Sequence, residues 1–173
     1  MQLHFRKCVL QDVKQLKILS ISTFVEAFES QNDPQDFKVY LDTAFSKEQL
    51  LSELKNPNTS FYFVLIDQTV AGYFKVNVFD AQSEFQDSQA MELERIYVQS
   101  RYQGQGVGSD ILVFIEALAQ KQMKAYLWLG VWEQNSNAIR FYERQGYLKF
   151  GTHPYYIGQD KQTDWLMKKE LTL

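Results

Sequence analysis

Apolar and polar residues alternate from Leu3 to Val9, the two-residue period of a strand with one buried face. From Asp12 the spacing lengthens. Val13, Leu16, Leu19 and Thr23 recur at helical intervals, the pattern continues near Phe24 and Phe28, and Asp12 is the expected cap. The run SQNDPQD then interrupts the chain, and a second helical pattern from about Asp36 carries Phe37, Tyr40, Leu41 and Ala44. Ser46 and Gln49 form a capping box for a third helix containing Leu50, Leu51 and Leu54. It stops at Asn56-Pro57, because proline disfavours helix in the residue before it.

From Phe61 the pattern becomes β-like. FYFVLI, a turn at Asp67-Gln68 and VAGYFKVNVF predict an antiparallel hairpin, and DAQSEFQDSQ reads as a loop. A strand from Met91 runs into a glycine-rich turn, followed by a helix bearing Ile111, Leu112, Ile115, Leu118 and Ala119. AYLWLGVW reads as a buried strand. Asn135 to Gln145 is a short helix closed by Gly146 in the left-handed region, and two last strands are expected near Tyr147 to Gly151 and Thr163 to Leu171.

The glycine turn is the first sign of chemistry. Gly104, Gly106 and Gly108 remove side chains where a backbone must come close to a ligand. The helix N-terminus after them offers free N–H groups and a positive dipole end to an anion. The spacing is not the dinucleotide fingerprint, and no Gly-Lys-Ser/Thr follows, so nucleoside triphosphate hydrolysis has no support. The second sign is Asn135 to Tyr147, NSNAIRFYERQGY. At 100° per residue, seven positions return a side chain to within about 20°, so Asn135 and Tyr142 share a helix face. Ala138 and Phe141 would let that helix lie close to the sheet.

Composition narrows the classes. A chain of 173 residues with 45% hydrophobic, 15% aromatic and 23% charged residues fits one globular domain spanning 1–173. The net charge is only -3 and the Lys and Arg residues are scattered, so no nucleic-acid footprint is expected, and the acidic bias suits a cationic substrate. The one cysteine, Cys8, falls in the first strand pattern and reads as core, not as a disulfide or metal ligand. No apolar run reaches the ~20 residues of a membrane span and the N-terminus lacks a signal-peptide centre, so a cytoplasmic protein without membrane contact is expected.

Together, Gln103-Gly104-Gln105-Gly106-Val107-Gly108 and the later Asn135, Ala138, Phe141, Tyr142, Gly146 and Tyr147 resemble the GNAT superfamily of N-acetyltransferases. The resemblance covers nearly the whole chain. It implies a single α/β (α+β) domain: a central, mixed, mostly antiparallel, twisted sheet of about seven strands flanked by about four helices. The ending around Gly151, His153, Gly158, Gln162, Thr163, Asp164 and Met167 is similar to the bacterial PaiA-like spermidine/spermine acetyltransferases.

The resemblance further implies acetyl-coenzyme A as co-substrate, with no metal. Its pyrophosphate would sit on the amides of Gly104, Gln105, Gly106, Val107, Gly108 and Ser109, beside Gln103. Its pantetheine would pair with the backbone of Ile96, Tyr97 and Val98, and the Val98 amide would face the oxyanion. Asn135 either caps its helix, binds the cofactor, or does both. Tyr142 is expected to hydrogen-bond the leaving thiolate, packing being its alternative. A primary amine near pKa ~10.4 is neutral only to about one part in 2,500 at pH 7, so a base or water relay is needed. Glu92 and Glu94, alternating onto one strand face, are the leading bases, with substrate charge pairing as the alternative; His153 is a further relay candidate. Glu26, Glu29 and Asp33 are candidates for an acidic wall, and Tyr155, Tyr156 and Trp165 for aromatic contacts to a cation. The expected acceptor is a small-molecule amine, a polyamine ahead of a protein N-terminus, an amino sugar or an antibiotic amine. A non-catalytic acetyl-coenzyme A sensor is the reading from another class. Dimerisation is common in similar proteins, so a homodimer stays open.

Overall fold

A computed structural model describes residues 2–172. Seven strands form one sheet in the order β1-β2-β3-β4-β5-β7-β6. They are β1 (Leu3–Lys7), β2 (Thr59–Ile66), β3 (Thr69–Val78), β4 (Ala90–Val98), β5 (Tyr126–Trp132), β6 (Leu148–Ile157) and β7 (Asp160–Glu170). Every neighbouring pair is antiparallel except β4 and β5. Five helices accompany them: α1 (Val13–Phe28), α2 (Pro34–Ala44), α3 (Lys47–Lys55), α4 (Val107–Lys121) and α5 (Ser136–Arg144). Among the described residues no helix is long and apolar enough to cross a membrane.

The strand period decides which face each side chain meets. Phe74 and Val76 of β3, Met91 and Leu93 of β4 and Leu127 and Leu129 of β5 pack with Ile111, Leu112 and Ile115 of α4 on one face. Tyr73 of β3 and Phe61 and Phe63 of β2 point the other way, against Leu16 and Leu19 of α1 and Leu50 of α3. Cys8 is buried there as well. The aromatic excess concentrates around Phe24, which stacks on Phe37 and Tyr40 and meets Phe45 edge-on.

Local signals explain most boundaries. Ser46 caps α3 by accepting from the Gln49 amide at 3.1 Å, and Gly146 is left-handed at φ 89° after α5. The Asp67-Gln68 turn places both residues at positive φ, the twist a two-residue hairpin requires. Helix α2 begins at Pro34, earlier than expected, because Asp33 caps it through the Gln35 and Asp36 amides. Asp12 does not cap α1 directly. It ends a short 3-10 turn and reaches back to the Val9 amide (2.8 Å) and, bidentately, to Arg6 (2.9 and 3.0 Å).

Strands β4 and β5 position everything that follows. They pair only at Ala90–Tyr126, Met91–Leu127 and Glu92–Trp128, after which the sheet opens between them. Strand β4 also bulges at Glu94, where the register to β3 slips between Lys75 and Val76, and such a bulge bends the strand.

Candidate active site

Two cavities meet in this opening. The larger, about 570 Å³, lies over the start of α4 and is lined by Ile96, Val98, Gln103, Gly104, Gly106, Val107, Gly108 and Ser109 with Asn135 and Tyr142. The smaller, about 200 Å³, continues through the sheet toward α1 and is lined by Phe24, Phe28, Glu94, Arg95, Trp132, Tyr155 and Asp164. Ile96, Asn135, Ala138 and Tyr142 line both, so any group passing from one to the other crosses these residues.

The glycine turn does what its sequence suggests, but by two different means. Gly104 and Gly106 are left-handed at φ 72° and 84°, a conformation that favours glycine. Gly108 has an ordinary φ. An added Cβ there would stand 3.1 Å from Phe141, so its role is close packing of α4 on α5. Among the described residues the backbone amides of Gly104, Gln105, Gly106, Val107 and Gly108 find no acceptor, while Ser109 and Asp110 bond to Gly106 O. These amides and the α4 dipole form a cradle for an anion. Gln103 Nε2 donates to Val98 O at 2.8 Å and pins the turn to β4, whereas the Gln105 side chain turns away to Arg101 O. Arg144 and Asn137 of α5 also line the larger cavity, which the sequence reading missed.

On β4 the amides alternate in direction. Gln99 N–H donates to Ala71 O of β3, so Tyr97 faces β3 and the Ile96 and Val98 backbone groups face the opening. Apart from Val98 O, which Gln103 holds, they pair with no strand among the described residues and form an open edge beside the cradle. The half-buried Tyr97 side chain packs instead against Tyr73, Phe24 and Phe28 and lines the smaller cavity. Asn135 caps α5, its Oδ1 accepting from the Ala138 amide at 3.2 Å, and still lines both cavities. Tyr142 is 8% exposed and its hydroxyl has no hydrogen-bond partner among the described residues; burial pushes its pKa well up. It is a neutral donor at the junction.

The strand carboxylates share a network. Asn77 Nδ2 donates to Glu92 (3.0 Å) and to Glu94 (2.5 Å), so both side chains do lie on one face. Glu92 is 3% exposed and also accepts from the Ser83 amide and hydroxyl; burial, then Glu94, raises its pKa against those hydrogen bonds. It lies behind the cavity wall and is not a lining residue. Glu94 lines the smaller cavity. Burial pushes its carboxyl up, but Lys75 at 2.5 Å, Arg95 and the Asn77 hydrogen bond outweigh burial, and the net shift is down. Lys75 and Arg95 tie this group on to Glu53 of α3.

The remaining expected residues divide. Tyr155 lines the smaller cavity and hydrogen-bonds the Tyr40 hydroxyl. Tyr156 is exposed, and Trp165 packs against the core under Lys149. Glu26, Glu29 and Asp33 line neither cavity: Glu26 accepts from Ser100, Glu29 is exposed and Asp33 is spent on its cap. His153 stands outside the lining, with Nδ1 2.9 Å from Glu84 and Nε2 3.8 Å from Asp164. Asp164 is the lining acid that no site reading had picked out; burial pushes its carboxyl up to about 6, against an opposing pull from His153.

A family model described as the acetyltransferase (GNAT) family matches residues 22–147. An uncharacterised N-acetyltransferase from the pepI 3′ region of Lactobacillus delbrueckii subsp. lactis is 38% identical over 161 residues, covering 93% of each chain. The spermine/spermidine N(1)-acetyltransferase of Bacillus subtilis is 30% identical over 79 residues, 45% of this chain and 52% of that one. In fold, the PaiA N-acetyltransferase of Thermoplasma acidophilum, solved in complex with coenzyme A, superposes with a TM-score of 0.78 at 21% identity, covering 98% of this chain and 99% of that one.

Proposed function

The chain belongs to the GNAT acetyltransferase family and is an N-acetyltransferase, and we propose that it moves acetyl from acetyl-coenzyme A directly to a primary amine of a polyamine, in a ternary complex. The observation that carries this reading is the junction: one cavity fit for a long anionic donor and one fit for a slender cation share Ile96, Asn135, Ala138 and Tyr142. The unpartnered amides from Gly104 to Gly108, with Arg144 beside them, fit a pyrophosphate. The open edge at the Ile96 backbone and the Val98 amide fits the amides of pantetheine as an added strand. Acetyl-coenzyme A supplies an activated thioester.

In this reading the Val98 amide stabilises the oxyanion, a contribution of roughly 3 kcal/mol. Tyr142 hydrogen-bonds the departing thiolate. Glu94, held ionised, supplies negative potential for an ammonium, and the ring faces of Phe24, Phe28, Trp132 and Tyr155 favour a cation in a desolvated channel. The partial match to a spermine/spermidine acetyltransferase supports the polyamine class.

The test is thiol release from acetyl-coenzyme A with spermidine, spermine, amino sugars and peptides bearing a free N-terminus, at matched concentrations. Saturable turnover with the polyamines alone is expected. Turnover only with peptides or amino sugars would reassign the acceptor. Donor binding without turnover on any amine would make the chain a sensor.

A further inference from the structure

The base that deprotonates the acceptor amine is the step the two strand glutamates serve poorly. Glu92 is walled off from the cavity and occupied by Asn77 and Ser83, and Glu94 is committed to Lys75, Asn77 and Arg95. A base needs a free lone pair that reaches the substrate. From the geometry we infer that Asp164 of β7 is the catalytic base of the amine acetylation proposed above, an inference that rests on that reading.

Its placement is a product of the topology. Strand β7 lies between β5 and β6, so Asp164 stands in register with Trp132 on one side and His153 on the other. Gly130 of β5 leaves room for it. A Cβ on that glycine would come within 3.2 Å of Asp164 Oδ2. Among the described residues neither carboxylate oxygen of Asp164 has a hydrogen-bond partner, although its side chain is only 14% exposed and lines the acceptor cavity.

The charged and titratable groups around it are few. His153 of β6 approaches Oδ2 at 3.8 Å and is itself held by Glu84. Glu94, Arg95 and Tyr97 of β4, Tyr142 of α5 and Tyr155 of β6 complete the titratable lining. Burial brings the Asp164 carboxyl to about 6, ionised at neutral pH yet a stronger base than an exposed aspartate.

The step balances without any further reagent. The Asp164 carboxylate takes one proton from the ammonium, and the freed nitrogen lone pair attacks the thioester carbonyl carbon. The C–N bond forms, the C–S bond breaks, and the second nitrogen proton ends on the thiolate, which Tyr142 hydrogen-bonds. Asp164 returns its proton to solvent on the side of His153. One amide, one thiol and one proton result.

The experiment compares pH profiles of kcat/KM for wild type, Asp164→Asn and Glu94→Gln, using the acceptor that turns over best. Wild type is expected to show an acidic limb near pH 6 that Asp164→Asn lacks, with turnover down at least about a hundredfold, the typical reach of general-base catalysis. Acetyl-coenzyme A affinity, read by calorimetry, should move less than about threefold. With a fluoroalkyl or aryl amine, already neutral at pH 7, the Asp164→Asn deficit should shrink to within about threefold, which a merely structural role would not produce. Folding is not the confounder. A carboxyl easier to protonate folded than unfolded makes wild-type stability fall between about pH 4 and 6, and the asparagine variant escapes that fall, so its Tm at pH 7 should be no lower. An acidic limb that survives in Asp164→Asn and vanishes in Glu94→Gln would overturn the inference and restore Glu94. Wild-type inactivity on every amine would overturn the acetylation reading itself, and this assignment with it.

Discussion

Tyr142 combines deep burial, a free hydroxyl and a place on both cavities, and these fix what it can do. A thiol of pKa about 8.5 is a stronger acid than an ordinary tyrosine near 10, so full proton transfer to the thiolate would cost roughly 2 kcal/mol. Burial raises the tyrosine further, which favours donation of a hydrogen bond over loss of the proton. Tyr142→Phe keeps the ring and removes only the donor. Turnover should fall at least about tenfold, about 1.4 kcal/mol of barrier, with acetyl-coenzyme A affinity unchanged in calorimetry. An unaltered kcat would take Tyr142 out of the chemistry. Tyr142 and Asn135 were legible because a helical period alone puts them on one face. Asp164 was not: one acid among the polar residues at the start of a closing strand carries no period, and its meaning depends on Gly130 and His153, which lie far away in the chain.

Elements add constraints that single residues do not. The three glycines of the turn look equivalent in sequence, yet only Gly104 and Gly106 need positive φ, while Gly108 lets α4 and α5 touch at Phe141. Alanine at Gly106 enters the left-handed region and should destabilise by about 1–2 kcal/mol, whatever stands at 141. Alanine at Gly108 crowds the Phe141 ring, an overpacking cost of about 1–3 kcal/mol that Phe141→Leu should relieve in part. Urea denaturation of the two singles, Phe141→Leu and the two doubles checks this. Coupling to Phe141 is expected for Gly108 and not for Gly106, and equal coupling at both would sink the distinction. The same scale shows where strand boundaries were hidden. Strand β6 extends through Pro154 to Ile157, beyond the expected end near Gly151, because it is the last strand of the sheet and pairs only with β7. An edge strand tolerates a proline that a central strand would not. Its half-exposed residues also blur the apolar alternation from which strands are read.

At the scale of the whole molecule, the sheet is two units joined by three residue pairs. Strands β1 to β4 form one, β5, β7 and β6 the other, and among the described residues only Ala90–Glu92 against Tyr126–Trp128 pairs them edge to edge. The sequence shows β4 and β5 as strands, but neither that their pairing stops after Glu92 nor that β7 inserts beside β5, since both depend on contacts between distant segments. A donor laid in the opening touches β4, the glycine turn and α5 at once, so binding and global stability should be linked. Because it binds only the folded chain, acetyl-coenzyme A at 100 times its Kd should add about 2.7 kcal/mol. For a chain of this length that is a rise in Tm of about 5–10 °C. Where the protection appears matters more than its size. Hydrogen exchange should slow at the Ile96 and Val98 amides, which face the opening, and at Gly104 to Gly108, while Tyr97, already turned to β3, should change little. A Tm rise with protection confined to the glycine turn would leave the pyrophosphate cradle standing and remove the added-strand pairing along β4. With that pairing gone, the Val98 amide would no longer be aligned with the thioester, and the oxyanion would need another donor in this opening.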